Sequence, residues 1–307
     1  MARSADRDDT IARGPTVTLE GVTVHLAHPD ELPIKWVGQE DTLRQLLGAW
    51  SLADPRDVPM NPRLLGKPGV GKTTLAYAAG KALGKDVYVY QATMDTRPED
   101  LLITPVIDAQ GTIRYVASSL VTAMIRGGVA ILDEGNRMSE KSWASLAPLL
   151  DARRYVESIV AGVKVKAHAD FRIVATMNDD ASTYEIPEYI HSRLQPQIHL
   201  DFPDADEERA ILQENLPFSD AAILDYVVRF LQAAHAADER YTVRDGINIA
   251  RYALKRMAQA SVEPPAPKDL LPSKRKKAEE AEGARRAEAL KEAVRQVLGE
   301  EGERYAP

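Results

Sequence analysis

Residues 63–76, RLLGKPGVGKTTLA, decide the fold of this 307-residue chain. Three glycines and a proline separate an apolar start from the apolar residues that follow. Beyond this loop, helical spacing is shown by Leu75, Ala78, Ala79, Ala82 and Leu83, and Gly84 is a typical helix stop. The stretch therefore predicts a short strand, a glycine-rich loop and a helix.

Further apolar strands are predicted at residues 86–92, 127–132 and 170–177, separated by helical or hairpin material. This alternation is typical of an α/β fold with a central parallel sheet covered on both faces. The pattern becomes wholly helical after DFPDADEE, and Thr242 with Asp245 fits a capping box. The predicted divisions are 1–33 for a tail and short hairpin, 34–203 for the α/β core, 204–260 for a small all-α domain, and 261–307 for a proline-rich linker and charged helical extension.

The composition indicates a soluble globular protein, with 44% hydrophobic and 28% charged residues. No apolar run approaches the roughly 18 residues of a membrane span, and the first ten residues lack the apolar centre of a signal peptide, so we expect a cytoplasmic protein. The absence of cysteine excludes disulfides and thiolate metal sites. A net charge of −7 gives no overall attraction to nucleic acid, and the basic run at 274–277 is interpreted as part of a solvated tail.

The loop contains a phosphate-binding motif, since Gly66, Gly71, Lys72 and Thr73 fit GxxxxGK[ST]. The glycines let backbone N–H groups surround phosphate oxygens, Lys72 reaches the terminal phosphates, and Thr73 binds Mg²⁺. The predicted nucleotide contacts from the loop are Gly66, Pro68, Gly69, Val70, Gly71, Lys72, Thr73 and Thr74. The alternative is a glycine-rich turn without a ligand.

Two carboxylates end the predicted strand in GGVAILDEGNR, at the sheet edge where open α/β folds bind ligands. Asp133 is the predicted second metal ligand, and Glu134 would orient or deprotonate a water aimed at the γ-phosphate. The alternative is that both acids simply open the helix of SEKSWASL, because helix N-termini favour acidic residues.

Together these residues resemble the AAA+ ATPases, and within them the MoxR-type group, over about residues 34–257. Val37, Gly38 and Gln39 resemble the adenine-contacting segment, followed by the Walker A loop and by Walker B as ILDEGNR. Gly135 stands where the family has isoleucine, which we expect to loosen that turn. Residues 95–120 are similar to the helix-two insert, and residues 155–178 to the hairpin that precedes the sensor strand. The resemblance implies a P-loop NTPase with β-hairpin insertions and a helical lid.

The same resemblance assigns roles outside the two Walker motifs. Asn178 aligns with sensor 1, Arg193 with the arginine finger that serves a neighbouring subunit, and Arg244 with sensor 2 of the lid. Arg137 is a second candidate for the subunit interface. Read without the resemblance, Asn178 could form a turn and Arg193 a surface salt bridge.

The function implied is an ATP hydrolase that requires ATP and Mg²⁺ and works as a homo-oligomeric ring, expected to be a hexamer. Its catalytic residues would be Lys72, Glu134, Asn178, Arg193 and Arg244. It would remodel, activate or mature a protein partner, for which the resemblance implies a von Willebrand factor A domain. Two alternatives stay open: a McrB-like motor that acts with nucleic acid, and a nucleotide-gated assembly scaffold. The acidic net charge argues against the first and the presence of Glu134 against the second.

Overall fold

The computed structural model describes residues 15–33, 35–179, 185–260 and 272–307, and within these the side chains of all residues except 260 and 272–280. Its contacts divide into two units. The first comprises the described residues within Met1–Pro33, together with Glu40–Gly66 and Gly71–Leu200. The second comprises those within Ile34–Gln39, Lys67–Val70 and Asp201–Pro307.

In the first unit the strands are β1 (Thr16–Leu19), β2 (Val22–His25), β3 (Arg63–Gly66), β4 (Val87–Gln91), β5 (Ile103–Ile107), β6 (Ile113–Ala117), β7 (Val129–Asp133), β8 (Tyr155–Ser158), β9 (Val163–Lys166), β10 (Arg172–Asn178) and β11 (Gln197–His199). Its helices are α1 (Glu40–Trp50), α2 (Lys72–Ala82), α3 (Ser119–Arg126), α4 (Glu140–Leu146) and α5 (Glu188–His191). A short 3-10 helix covers Gly135–Arg137.

A five-stranded sheet with the order β11-β3-β10-β7-β4 forms the centre of the first unit, and every neighbouring pair is parallel. Strand β10 is buried along its length except at Asn178, as expected for a strand covered on both faces. The predicted α/β fold with a central parallel sheet is therefore confirmed. Strand β11 was not predicted, because its three residues are too few to show a periodic pattern.

Two further sheets flank this centre. One has the order β1-β2-β6-β5, and the other pairs β8 with β9 as an antiparallel hairpin. The turn between β5 and β6 is closed by Asp108, whose carboxylate accepts the N–H groups of Gln110 and Thr112. Both β-hairpin insertions expected between the Walker motifs and before β10 are thus present.

The second unit is helical and contains α6 (Ala205–Asn215), α7 (Ala221–Ala236), α8 (Val243–Ala260) and α9 (Pro272–Leu298). The predicted capping box begins α8, because Asp245 accepts the N–H of Thr242 at 2.8 Å and donates its own N–H to the Thr242 hydroxyl at 3.4 Å. Helix α9 docks within this unit, since Leu290 and Val294 lie in the same apolar core as α6, α7 and α8.

Two sequence predictions fall outside what the structure describes. The proline-rich stretch 261–267 lies outside the described residues, and the basic run 274–277 lies in the part of α9 whose side chains are not described. In the described residues no helix combines the length and apolar character needed to span a membrane.

Candidate functional site

The predicted phosphate loop, Walker B acids and sensor residue meet at one edge of the central sheet. Gly66, Asp133 and Asn178 are the last residues of β3, β7 and β10. Asn178 lies opposite Gly66 in the β10–β3 register, and β10 also pairs with β7. Because these strands are parallel, their carboxyl ends form the edge at which such sheets bind ligands.

The loop leads from β3 directly into the N-terminus of α2, which supplies the strand–loop–helix context that the motif requires. Gly71 precedes α2 in the left-handed region, with φ 99°. Lys72 is 6% exposed, and its Nζ donates to the Gly66 carbonyl oxygen at 2.9 Å. Unpaired N–H groups at the start of a helix attract anions, so the loop end, Lys72 and α2 together suit phosphate oxygens.

Thr73 and Asp133 supply the oxygen atoms that the sequence predicts for Mg²⁺. The Thr73 hydroxyl donates to Asp133 Oδ1 at 2.6 Å, so the two side chains already lie together. Mg²⁺ beside nucleotide phosphates uses one or two protein oxygens and keeps its other positions for phosphate and water. The pair fits that pattern, although the described residues contain no cluster of three or more His, Cys, Asp or Glu side chains suited to a metal ion.

Glu134 occupies a backbone conformation that is costly for a residue other than glycine, with φ 54° and ψ 39°. Such conformations cost about 1–3 kcal/mol and concentrate at functional sites. Its Oε2 lies 2.6 Å from Arg137 Nε in an ion pair, and its Oε1 lies 3.4 Å from Asn178 Nδ2. The structure therefore brings Glu134 and Asn178 together, and gives Arg137 a partner within its own subunit.

Asn136 forms a hydrogen bond with the backbone of Asn178, the predicted sensor residue. It is 6% exposed, and its Nδ2 donates to the backbone oxygen of Asn178 at 2.8 Å. This bond links the turn after β7 to the end of β10. Sequence reasoning did not single out Asn136, although a polar residue next to the Walker B acids was a usable signal.

Thr176 is a second residue that sequence reasoning missed. It is 1% exposed, donates its hydroxyl to Asp133 Oδ1 at 2.5 Å and accepts the backbone N–H of Glu134 at 3.0 Å. The available signal was a hydroxyl inside the otherwise apolar run IVATM. A buried polar group needs partners, and here both partners are Walker B acids.

The turn at Gly135, which we expect to be loosened, is closed by a backbone hydrogen bond. Gly135 is buried, and its carbonyl oxygen accepts the N–H of Met138 at 3.1 Å. A Cβ atom on Gly135 would lie 3.2 Å from the Trp143 ring, which is closer than such contacts normally allow. The indole of Trp143, 1% exposed, therefore fills the space that a side chain at position 135 would need.

The described contacts of the Arg193 side chain include none of the site residues at the edge of the central sheet. Its Nη1 donates to the Tyr189 carbonyl oxygen at 2.6 Å, and its Nε lies 3.6 Å from Asp151 Oδ2. A closer hydrogen bond from Arg153 is the main reason that the pKa of Asp151 falls to about 2, and Arg193 adds to the effect. The next residue, Leu194, is 1% exposed and packs in the core of the unit.

The predicted adenine segment lies in the second unit. The N–H of Gln39 donates to Glu207 Oε1 at 2.6 Å, and a Cβ on Gly38 would lie 2.9 Å from the same oxygen. Val37, Gly38 and Gln39 are all partly buried. The first turn of α6, which carries Glu207, thus fixes the backbone of this segment.

The middle of the loop also lies in the second unit, beside the start of α8. A Cβ on Gly69, which has φ 81°, would lie 2.5 Å from Thr242 Cγ2. Val70 is buried and Pro68 partly buried. Arg244 follows Thr242 in the first turn of α8, is exposed, and pairs with none of the described residues. Its predicted contact with a γ-phosphate stays a prediction.

Comparisons with known proteins agree with this geometry. Residues 63–194 match the family model of the AAA domain, dynein-related subfamily. An uncharacterized protein of Staphylococcus aureus is 26% identical over 179 residues, covering 57% of this chain and 68% of that protein. Another, of Staphylococcus haemolyticus, is 26% identical over 175 residues, covering 55% of this chain and 66% of that protein.

Among solved structures, the Thermotoga maritima RuvB Holliday junction branch migration motor is similar, with a TM-score of 0.52 and 19% identity. The match covers 73% of this chain and 64% of the RuvB chain. A mutant of the same motor gives a TM-score of 0.53 and 65% coverage of its length. Similarity at this identity shows a shared fold, that of the P-loop AAA+ NTPases.

Proposed function

We propose that this chain, which carries an AAA+ P-loop ATPase domain, hydrolyses ATP with Mg²⁺ in a ring of subunits and uses the energy to remodel a protein partner, as the MoxR-type resemblance implies. The observation that carries the proposal is the joining of Thr73, Asp133 and Glu134 at the sheet edge. A phosphate loop alone would support nucleotide binding. The added acid, Glu134, supports hydrolysis.

The loop end and Lys72 would hold the phosphates through N–H groups and one ammonium charge. Thr73 and Asp133 would hold Mg²⁺, which neutralises phosphate charge as it develops. Once the Glu134 carboxylate has separated from Arg137, it would accept a proton from the attacking water. The side-chain amide of Asn178 would orient both Glu134 and that water.

Arg193 supports the ring. Its described side-chain contacts are with Tyr189 and Asp151 and not with the Walker residues of its own subunit, which is compatible with the trans role that the resemblance implies. Asp151 already has a closer partner in Arg153, with Nη2 2.7 Å from Oδ2. Loss of the ion pair with Asp151 would therefore cost little when Arg193 turns towards a neighbouring phosphate, because a partly exposed ion pair at 3.6 Å is weak.

Steady-state ATP hydrolysis by the wild type and by Glu134→Gln tests the proposal. The variant should bind ATP with near-normal affinity and lose about 10²–10⁴ in rate, because a general base contributes a factor of this size. Glu140→Gln is the matched control, since Glu140 is an exposed acid in the first turn of α4. Hydrolysis by Glu134→Gln at the rate of Glu140→Gln would contradict the proposed role.

The same variant tests the partner class, because an ATP-bound complex that cannot hydrolyse should retain its client. Pull-down with Glu134→Gln in ATP, compared with Glu140→Gln in ATP, should enrich a protein with a von Willebrand factor A domain. Enrichment of nuclease subunits or DNA instead would favour the McrB-like alternative and overturn the MoxR-type assignment.

A further inference from the structure

We propose that Thr176 is a positioning residue that fixes the relative positions of Asp133, the proposed metal ligand, and Glu134, the proposed general base. This inference rests on the proposed ATPase function. Thr176 lies in β10, two residues before Asn178, and is 1% exposed. Its hydroxyl contacts both Asp133 and Glu134. No other described side chain donates to one of these acids while accepting from the other.

The direction of both hydrogen bonds is fixed by chemistry. An ionised carboxylate only accepts, so the Thr176 hydroxyl must donate its single proton to Asp133 Oδ1, at 2.5 Å. A backbone N–H only donates, so the same oxygen must accept from Glu134, at 3.0 Å. The hydroxyl rotor of Thr176 therefore has one orientation that satisfies both partners.

Each bond acts on a different catalytic element. Asp133 Oδ1 accepts from Thr73 as well as Thr176, so when Thr73 turns its oxygen to Mg²⁺, Thr176 is the described donor that remains on Asp133. The bond to the Glu134 N–H satisfies the backbone at a residue held in the left-handed region. Thr176 thus restrains the orientation of Asp133 and the turn that presents Glu134.

Removal of the Thr176 hydroxyl should leave the core packed but should remove a restraint on Asp133 and on the turn that carries Glu134. Thr176→Val keeps the branched shape but deprives Asp133 of a donor and deprives the partly buried Glu134 N–H of its acceptor. Thr176→Ser keeps the hydroxyl and loses only a methyl group. Loss of a hydrogen bond behind a metal ligand typically weakens metal affinity or activity by about 10–100-fold.

The matched control is Thr122→Val. Thr122 is fully buried in α3, and its hydroxyl accepts the N–H of Ala27 at 3.0 Å, with no Walker residue involved. This variant tests the general cost of deleting a buried hydroxyl in the same unit. It should lower stability and leave the response to Mg²⁺ unchanged.

The experiment measures ATP hydrolysis against Mg²⁺ concentration, and binding of a fluorescent ATP analogue in EDTA and in Mg²⁺. For Thr176→Val we expect the half-saturating Mg²⁺ concentration to rise and kcat to fall, each by about 10-fold or more. Analogue binding in EDTA should change by less than about threefold, because the loop and Lys72 are intact. Thr176→Ser should recover most of both losses.

Three results would overturn the inference: a wild-type Mg²⁺ response in Thr176→Val, the same loss in Thr176→Ser, or the same loss in Thr122→Val. A wild-type protein that does not hydrolyse ATP would overturn the proposed function instead. The Mg²⁺-dependent part of analogue binding then decides the role of Thr176. A wild-type protein that binds no nucleotide would overturn both.

Discussion

Glu134 combines backbone strain with a restrained side chain. Its φ of 54° marks it as an unusual residue, and Arg137 and Asn178 each approach one of its carboxylate oxygens. The side chains of Glu134 and Arg137 are about one-third exposed, at 31% and 35%. An ion pair this exposed contributes about 1 kcal/mol or less, so Arg137 restrains the Glu134 side chain only weakly. Departure of Arg137 would therefore be an accessible step before the proposed proton transfer.

Gly135 shows that a local departure from a family pattern can be compensated by packing. The prediction is that Gly135→Ile, which restores the family residue, destabilises the first unit by about 1–3 kcal/mol, because the added side chain overlaps Trp143. The measurement is the urea dependence of tryptophan fluorescence or of hydrogen exchange in α4.

A double-mutant cycle separates this clash from other effects of isoleucine. Trp143→Leu alone should destabilise the unit, because Trp143 is 1% exposed. Gly135→Ile combined with Trp143→Leu should be more stable than the sum of the two single changes predicts. If the two losses in stability were additive, contact with Trp143 would not be the reason that position 135 requires glycine.

At the scale of elements, the sequence was most informative where periodicity was long or a motif was complete. The runs that became β4, β7 and β10 are apolar and bounded by turn residues, so their positions were predictable. The carboxyl-edge position of Asp133 followed from the parallel arrangement. The hydroxyl of Thr176 was visible in an apolar run, but its contact with Asp133 could not be derived, because Asp133 lies 43 residues away in sequence and only the strand register brings the hydroxyl to it.

Helix α9 marks a similar limit. A stripe of Leu290, Val294, Val297 and Leu298 is visible in the sequence, but such a stripe by itself does not distinguish a docked helix from an exposed one. The structure buries Leu290 and Val294 against the other helices of the second unit, and Arg286 pairs with Asp220 at 3.3 Å. An amphipathic stripe indicates that a surface will be covered, but the partner depends on contacts remote in sequence.

A buried acid joins α6 to α7 in the second unit. Glu208 is fully buried, accepts from Gln232 at 3.0 Å, and lies 3.4 Å from His235 Nδ1. His235 Nε2 is 2.6 Å from the Tyr241 carbonyl oxygen, so this nitrogen must carry hydrogen. A hydrogen bond between His235 Nδ1 and the Glu208 carboxyl group then requires one further proton, carried by either group.

We predict that this pair makes the second unit sensitive to pH. Burial raises the pKa of Glu208 from 4.5 to about 7, and burial lowers the pKa of His235. A raised carboxyl pKa contributes stability below pH 4.5 that is lost as the pH rises towards 7. The lowered pKa of His235 acts in the opposite direction, because the stability that it contributes is present above pH 6.5 and is lost as the pH falls below that value.

Glu208→Gln isolates the carboxyl group. The stability of the wild type relative to this variant should fall between pH 4.5 and about 7, and the variant should be the more stable protein above pH 7. Hydrogen exchange of α6 and α7 amides measures the difference. Glu214→Gln, at an exposed acid paired with Lys35, is the control and should show no such trend. A wild-type pH dependence in Glu208→Gln would contradict the assignment.

At the scale of the whole molecule, the proposed ring requires two surfaces from each subunit. In this proposal Lys72 would act on the nucleotide of its own subunit, whereas Arg193 would act on that of a neighbour. Such a head-to-tail interface closes into a ring when the rotation between subunits permits it. Each active site would then be complete only where two copies of the chain meet.

Mixing two inactive variants tests this division of labour. Arg193→Ala alone should lose about 10³–10⁵ in hydrolysis rate if it is the arginine finger, and Lys72→Ala should lose nucleotide binding. In an equal mixture, about one interface in four joins an intact loop to an intact Arg193, so about a quarter of wild-type activity should return. Arg56→Ala, at an exposed arginine paired with Asp54, should leave the rate unchanged. Mixed rings that form, as shown by native mass spectrometry, and yet stay inactive would exclude a trans role for Arg193.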